Sequence, residues 1–168
     1  VSPAASTRAC NDKYETAQLL EMRGVLTART WVPSTVPTPA PFPLFIKPRT
    51  GRGGVGAFAV RTQRELDFFL DYVADPVVQP FLDGPEFTID VLADFDGRVL
   101  SVVPRERRVI RAGVVDRGRT VRDPNLMALG MQCASAIRAV GAINIQCRIV
   151  DGVATVFEIN PRFSGGIP

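Results

Sequence analysis

No histidine occurs among the 168 residues of this chain. That absence excludes Ser-His-Asp and Cys-His nucleophile systems and every zinc or iron site built on imidazole. A metal here has to be held by oxygen ligands, which points to Mg²⁺ or Mn²⁺. Cysteine is scarce: Cys10, Cys133 and Cys147 form an odd set without metal-ligand spacing, as expected of reduced thiols in a cytoplasmic protein. No apolar run is long enough to cross a membrane, and no charged start followed by a hydrophobic segment marks a secretory signal. The chain begins at Val1 and stops at Gly165-Gly166-Ile167-Pro168, so it reads as a piece of a longer protein.

What is present supports one domain or two small lobes. Hydrophobic residues make up 46%, enough for a core, and charged residues 22%. Fourteen prolines and fourteen glycines put unusual weight on loop backbone. The net charge is +3, and arginines crowd the stretch 98–122. Such a cluster allows two readings, a nucleic-acid contact or a phosphate or carboxylate pocket. The lack of interleaved aromatics counts against nucleic acid.

Residues 2–8 read as an irregular lead-in. Asn11 or Asp12 can cap a helix running to about 23, with Gly24 as its stop. Lys13 in its first turn is either a solvated lysine or a phosphate contact. Five prolines within 31–43 make an extended connector. A strand over 44–47 ends on Lys47 and runs into Pro48-Arg49-Thr50-Gly51-Arg52-Gly53-Gly54-Val55-Gly56 before a short strand at 57–60. Glycine lets backbone N–H groups approach an anion with no Cβ in the way, and Lys47, Arg49 and Arg52 flank the glycines. No Gly-Lys-Ser/Thr closes this loop, so it reads as a flap over phosphate and not as a Walker A loop; a ligand-free hairpin is the alternative.

Thr62-Gln63-Arg64-Glu65 is a capping box, predicting a helix to about 74 with Leu66, Phe69, Leu70 and Val73 inward. A strand at 77–79, a turn at 80–85 and a strand opened by Glu86 over 87–93 follow. Asp94-Phe95-Asp96-Gly97 is a hairpin signal leading to 99–103. The arginine-rich stretch 105–119 reads as a loop or edge segment. Asp123-Pro124 starts a helix that should continue to Val140 and end at Gly141.

The last element is a hairpin of strands 143–150 and 154–159. Alternation puts Glu158 and Asn160 on one face and Phe157 and Ile159 on the other. A carboxylate beside an amide oxygen suits a hard cation, although a polar strand end closed by Pro161 would look the same. Strand pairing sharpens the choice. Ile143, Ile145, Cys147 and Ile149 form an apolar face, leaving Asn144, Gln146 and Arg148 opposite. A two-residue turn at Asp151-Gly152 would set Gln146 against Phe157 and mix the faces. A three-residue loop, Asp151-Gly152-Val153, sets Gln146 against Glu158, and burial of one apolar face selects that loop.

Taken together, these residues resemble the ATP-grasp family, particularly proteins like the large subunit of carbamoyl-phosphate synthase. The resemblance runs from Asp12-Lys13 to Phe163-Ser164-Gly165-Gly166. It implies an α+β fold in which two lobes with antiparallel sheets enclose ATP, lacking the family's N-terminal domain and C-terminal end. By the same resemblance, Lys47 contacts the α/β phosphates, Lys13 lies nearby, and Gly53, Gly54 and Gly56 form the flap. Gln79, Pro80, Phe81 and Leu82 run along the adenine, Gln79 standing where many members carry an acid. Glu86 binds the ribose hydroxyls, Gln146, Glu158 and Asn160 hold the metal, and Arg162 sits at the terminal phosphate. Arg162 and Lys47 are then the catalytic pair.

The implied division is 1–43 as N-terminal helix and connector, 44–82 as the small lobe and 83–168 as the large lobe. The implied chemistry is ATP- and Mg²⁺-dependent activation of a carboxylate or bicarbonate as an acyl phosphate, for attack by an amine. Mg²⁺ and cationic side chains carry that chemistry without histidine. Arg105, Arg107 or Arg111 would suit the substrate carboxylate. A non-catalytic nucleotide-binding module is the alternative, and a homodimer is an allowed assembly.

Overall fold

The computed structural model describes residues 2–51, 53–111 and 114–164 (for 110, 111, 114 and 115, the backbone alone). Arg52 and Gly165-Gly166 therefore lie outside the described residues, as does the Arg111 side chain. Two antiparallel sheets organise the chain. The smaller holds β1 (Leu44–Pro48), β2 (Phe58–Val60) and β3 (Pro76–Pro80) in the order β2-β1-β3. The larger holds β4 (Glu86–Ala93), β5 (Val99–Arg111), β6 (Val114–Thr120), β7 (Gly141–Val150) and β8 (Val153–Asn160) in the order β6-β5-β4-β7-β8. This is the α+β architecture that the sequence implies.

Helices α1 (Ala4–Asn11), α2 (Lys13–Met22) and α4 (Pro124–Ala136) cover one face of the larger sheet. Alternation in the strands supplies that face with Ile89 and Val91 from β4, Ile143 and Ile145 from β7, and Val156 and Ile159 from β8. Helix α3 (Gln63–Tyr72) covers the smaller sheet, where Leu66 meets Leu44, Ile46, Val60 and Val78. Phe69 and Leu70 pack at the margin of that second core, and Val73 is buried as predicted. Trp31, within the proline-rich connector, enters the same core and pairs its backbone with Val78.

Local signals hold at most helix starts. Asp12 accepts from the N–H groups of Tyr14 and Glu15 to cap α2, Gly24 follows with φ of 70°, and Asp123 caps α4 with Pro124 at its first position. Thr62 caps α3 through Glu65, whose carboxylate reaches back to the Arg61 N–H.

Four expectations need correction or narrowing. Residues 2–8 are not irregular: an alanine-rich helix, α1, occupies most of them, and burial of Cys10 against the larger core stabilises a segment with little periodicity. Helix α4 stops at Ala136, four residues early, because Arg138 takes a left-handed φ of 51° and the Ala139 N–H closes back on Ala134 O. For 105–119 the loop reading gives way to its alternative, an edge segment: β5 pairs with β6 there, β6 is the outer strand of the sheet, and its exposed, charged residues Asp116, Arg117 and Arg119 suit an edge. The final hairpin turns in two residues, Asp151 (φ 51°) and Gly152 (φ 79°), with Val150 opposite Val153. Among the described residues, no helix is long and apolar enough to cross a membrane.

Candidate functional site

The face of the larger sheet turned away from the helices is polar, and its pairing registers build a grid. Glu86 on β4 lies opposite Arg148 on β7, Thr88 opposite Gln146, and Asp90 opposite Asn144. On the outer sides, Gln146 faces Glu158 and Asn144 faces Asn160 on β8, while Thr88 faces Arg105 on β5. Gln146 thus meets Glu158 as the sequence predicted, by a different route. The register shifts between Cys147 and Gln146, so Phe157 is an extra residue on β8. That bulge lets Val156 and Ile159 stay in the core while Phe157 and Glu158, adjacent in sequence, both line the cleft. Phe157 therefore points to the site and not, as alternation had it, away from Glu158.

The cleft between the sheets has a volume of about 340 Å³. Its opposite wall carries Lys13 and Lys47, the only lysines in the chain. Both are buried, Lys47 with 6% exposure. Lys47 Nζ donates to Phe157 O at 3.3 Å and lies 5.2 Å from the Phe157 ring centre. Burial depresses its pKa to about 8; Glu158 and Glu86 push it back up, while Lys13 adds to the depression. Lys13 opens α2 and donates Nζ to Gly51 O at 3.2 Å, while its backbone N–H binds Arg49 O. Arg49 closes this base of the loop by pairing with Asp12 at 2.7 Å.

Beyond that base, Gly53, Gly54 and Gly56 have φ near 70°, a conformation side chains resist. Gly53 and Gly54 line the cleft, and a Cβ at either would meet nothing within 4 Å. Gly56 instead packs on the Pro48 ring, so it shapes the loop from behind.

At the other end, Gln79, Pro80, Phe81 and Leu82 line the cleft with Glu86. Gln79 is buried and donates Nε2 to Thr30 Oγ1 at 2.8 Å. The Phe81 N–H is held by Pro43 O, Pro80 has none, and the Leu82 N–H makes no hydrogen bond among the described residues. Glu86 is held between two arginines: Oε1 accepts from Arg107 and Oε2 from Arg148 at 2.8 Å. Arg107 also donates to Gln146 Oε1 at 3.3 Å. Asn160 Nδ2 donates to Glu158 Oε1 at 3.0 Å and its Oδ1 accepts from Arg162 Nη2 at 3.5 Å, so Asn160 sits beside the cleft lining and not in it. Arg162 is exposed and does not line the cleft; its Nη1 donates to Phe163 O at 3.0 Å.

Of the arginines proposed for a carboxylate, the side chains of Arg105 and Arg107 are described, and Arg107 lines the cleft. Arg105 pairs with Asp90 at 2.7 Å, and Asn144 holds the other oxygen of that carboxylate. Arg148 was visible in the sequence only as a polar-face residue. Its parity with Gln146 was the available signal, but its partners lie on β4 and the preceding turn. The cysteines are free and buried; burial pushes the thiols of Cys10 and Cys147 up to about 12 and that of Cys133 up as well, so none is a nucleophile.

No cluster of three His, Cys, Asp or Glu occurs among the described residues, so a cation would rest on one carboxylate and neighbouring amide oxygens. Gln146 Oε1, Glu158 and Asn160 Oδ1 are oxygens only, which fits Mg²⁺ or Mn²⁺ and does not fit a soft metal.

A family model described as ATP-grasp in the biosynthetic pathway with Ter operon matches residues 73–168. The carbamoyl phosphate synthase large chain of Thermoanaerobacter pseudethanolicus is 27% identical over 146 residues, covering 76% of this chain and 13% of that relative. Among solved structures, carboxyaminoimidazole ribonucleotide synthase from Aspergillus clavatus, complexed with ATP, superposes with a TM-score of 0.82 at 19% identity. It covers 98% of this chain and 48% of its own. L-amino acid ligase from Bacillus licheniformis gives 0.76 at 22% identity, covering 97% and 43%. The chain thus spans a small part of the curated relative and less than half of either structure.

Proposed function

This chain belongs to the ATP-grasp family, and from that premise we propose that it is the ATP-binding core of a ligase that activates a carboxylate or bicarbonate as an acyl phosphate. One observation carries the reading. Two lysines and a glycine loop on one wall of the cleft face the Glu158 carboxylate and the Gln146 amide on the other, with Asn160 next along β8 and bonded to Glu158. A triphosphate with a divalent cation fits between such walls.

On this reading the chain divides into 1–43, 44–82 and 83–168. Residues 1–43 serve both lobes, since α1 and α2 join the larger core and Trp31 the smaller. Leu82 offers its unengaged N–H to the adenine edge, and Glu86 receives the ribose hydroxyls on lone pairs the arginines leave open. Lys47 and Lys13 meet the α/β phosphates under the glycine flap. Gln146, Glu158 and Asn160 hold Mg²⁺, which supplies charge neutralisation along the transferring phosphoryl group. Arg162, beside Asn160, reaches the terminal phosphate, and Arg107, in the cleft beside Gln146, receives the substrate carboxylate. The attacking carboxylate oxygen forms a bond to the γ-phosphorus as the bond to the β–γ bridging oxygen breaks, releasing ADP. No protein base is required, because a carboxylate is already ionised. The partners are ATP and a small carboxylate or bicarbonate.

The test is ATP binding by calorimetry with and without Mg²⁺, for the natural chain and for Glu158→Ala combined with Asn160→Ala. The double variant should lose the Mg²⁺-dependent gain in affinity; unchanged Mg·ATP binding would sink the reading. ADP release against a panel of amino acids and bicarbonate then separates a ligase core from a binding module, which would bind Mg·ATP and release no ADP.

A further inference from the structure

Resting on the nucleotide reading above, we propose that Arg148 positions the nucleoside end of the cleft by latching residues 82–86 onto β7, which makes binding selective for an intact ribose. Residues 81–85 join the two sheets without regular structure, yet they lead from the adenine-side backbone to Glu86. A link of that kind has no ladder to fix its path. Three independent contacts fix it here. A Cβ on Gly84 would sit 2.0 Å from Ile149 O, so this backbone lies against β7 where no side chain fits. The Ile149 N–H donates to Pro85 O at 3.1 Å. Arg148 gathers the remainder: Nη1 donates to Leu82 O at 3.2 Å and to Gly84 O at 3.3 Å, and Nη2 to Glu86 Oε2 at 2.8 Å.

Only a planar guanidinium offers donors in the fixed fork that two carbonyls and a carboxylate demand together; a lysine ammonium is a point donor on a flexible stem. Arg107 holds the other oxygen of Glu86 and reaches Gln146 on β7, whereas Arg148 reaches the carbonyls of the link. The two arginines therefore differ in role. Loss of Arg148 frees the link and one side of the carboxylate together. The link and Glu86 would then have to be ordered by the nucleotide itself, which weakens recognition of the ribose hydroxyls and leaves the phosphate end as it was.

In the nucleotide-free protein, amide hydrogen exchange at Ile149 should quicken about 10-fold or more in Arg148→Met, while Ile145, deeper in the β7 ladder, exchanges as before. Affinities for ATP, 2′,3′-dideoxy-ATP and tripolyphosphate, all with Mg²⁺, give the second readout. Arg148→Met should bind ATP about 10-fold more weakly and tripolyphosphate within about 2-fold of the natural chain, and its preference for ATP over the dideoxy analogue should fall towards one. Arg148→Lys, which keeps the charge, should lose the same preference, and Gly84→Ala should reproduce it with Arg148 intact. Retention of the preference in Arg148→Met overturns the latch, as does an equal loss of tripolyphosphate, which would make Arg148 a mere source of positive charge. A natural chain that binds no nucleotide overturns the nucleotide reading and the ribose selectivity with it. The Ile149 exchange rate decides the mechanical latch on its own.

Discussion

The two walls of the cleft are built on opposite physical plans. The smaller-sheet wall offers positive charge and backbone: buried Lys47, Lys13 at a helix start, and glycines held open at positive φ. The larger-sheet wall offers carboxylates and amides fixed in a cross-strand grid, Glu86 held by two arginines and Glu158 by Asn160. Among the described lining residues the first wall carries no carboxylate for a cation, and on the second the arginines are tied to Glu86. The difference teaches where each part of a metal–polyphosphate has to rest: phosphate oxygens against the first wall, the cation against the second.

The comparison breaks first at Glu158. Replacing it by glutamine removes the one charge in the proposed cation site while keeping its shape. Affinity for ATP in Mg²⁺ should fall on the order of 100-fold, with little change in metal-free buffer. Equal losses in both buffers would mean that the walls do not divide the labour this way. Lys47→Met should behave in the opposite sense, weakening ATP roughly 30-fold whether or not Mg²⁺ is present, because a charge-assisted contact to phosphate is lost. Calorimetry with and without EDTA measures both.

Lys47 also gives the first wall a pH signature. Its pKa is about 8 in the folded chain, against 10.5 for a free lysine. Between those values the unfolded chain binds more protons than the folded one, so stability rises with pH through this window and is lost again as pH falls through 8. Nucleotide affinity runs the other way, because the ammonium that attracts phosphate disappears above pH 8. A melting temperature that climbs from pH 8 to 10, while ATP affinity declines, is the expected pair, and both trends should vanish in Lys47→Met. With only two lysines in the chain, reductive ¹³C-methylation and NMR would read the titration directly.

Much of this site was legible because its parts are local. Lys47 ends an apolar run, the glycines cluster beside it, and Glu158 and Asn160 share a face whatever the fold around them. Capping by Asp12, Thr62 and Asp123 was equally plain, since each cap bonds within three residues. What escaped needed distant partners. Helix α1 exists because Cys10 finds the larger core, and Arg148 matters because the link at 82–86 lies beside it. The bulge at Phe157 escaped for a different reason: alternation assumes a regular ladder, and a bulge is the one irregularity that satisfies both faces at once. The sequence argument put Gln146 opposite Glu158 by lengthening the turn by one residue. The fold inserts that residue not at Val153 but at Phe157, where it also delivers an aromatic ring to the cleft.

That ring supports the smallest effect foreseen. The Lys47 ammonium lies 5.2 Å from the centre of Phe157 and bonds the carbonyl of the same residue. Phe157→Ala keeps the carbonyl, and hence the hydrogen bond, but removes the cation–π contact, a loss of about 3-fold in ATP affinity. Phe157→Trp, with the stronger ring, should hold affinity at or slightly above the natural level. The substitution bears on the comparison because the ring belongs to the second wall and the ammonium to the first. If Phe157→Ala weakens ATP as much as Lys47→Met, the ring orients the lysine as well as flanking it, and the walls act as one unit. If it changes nothing, the carbonyl alone joins them, and the bulge serves only to turn Glu158 into the cleft.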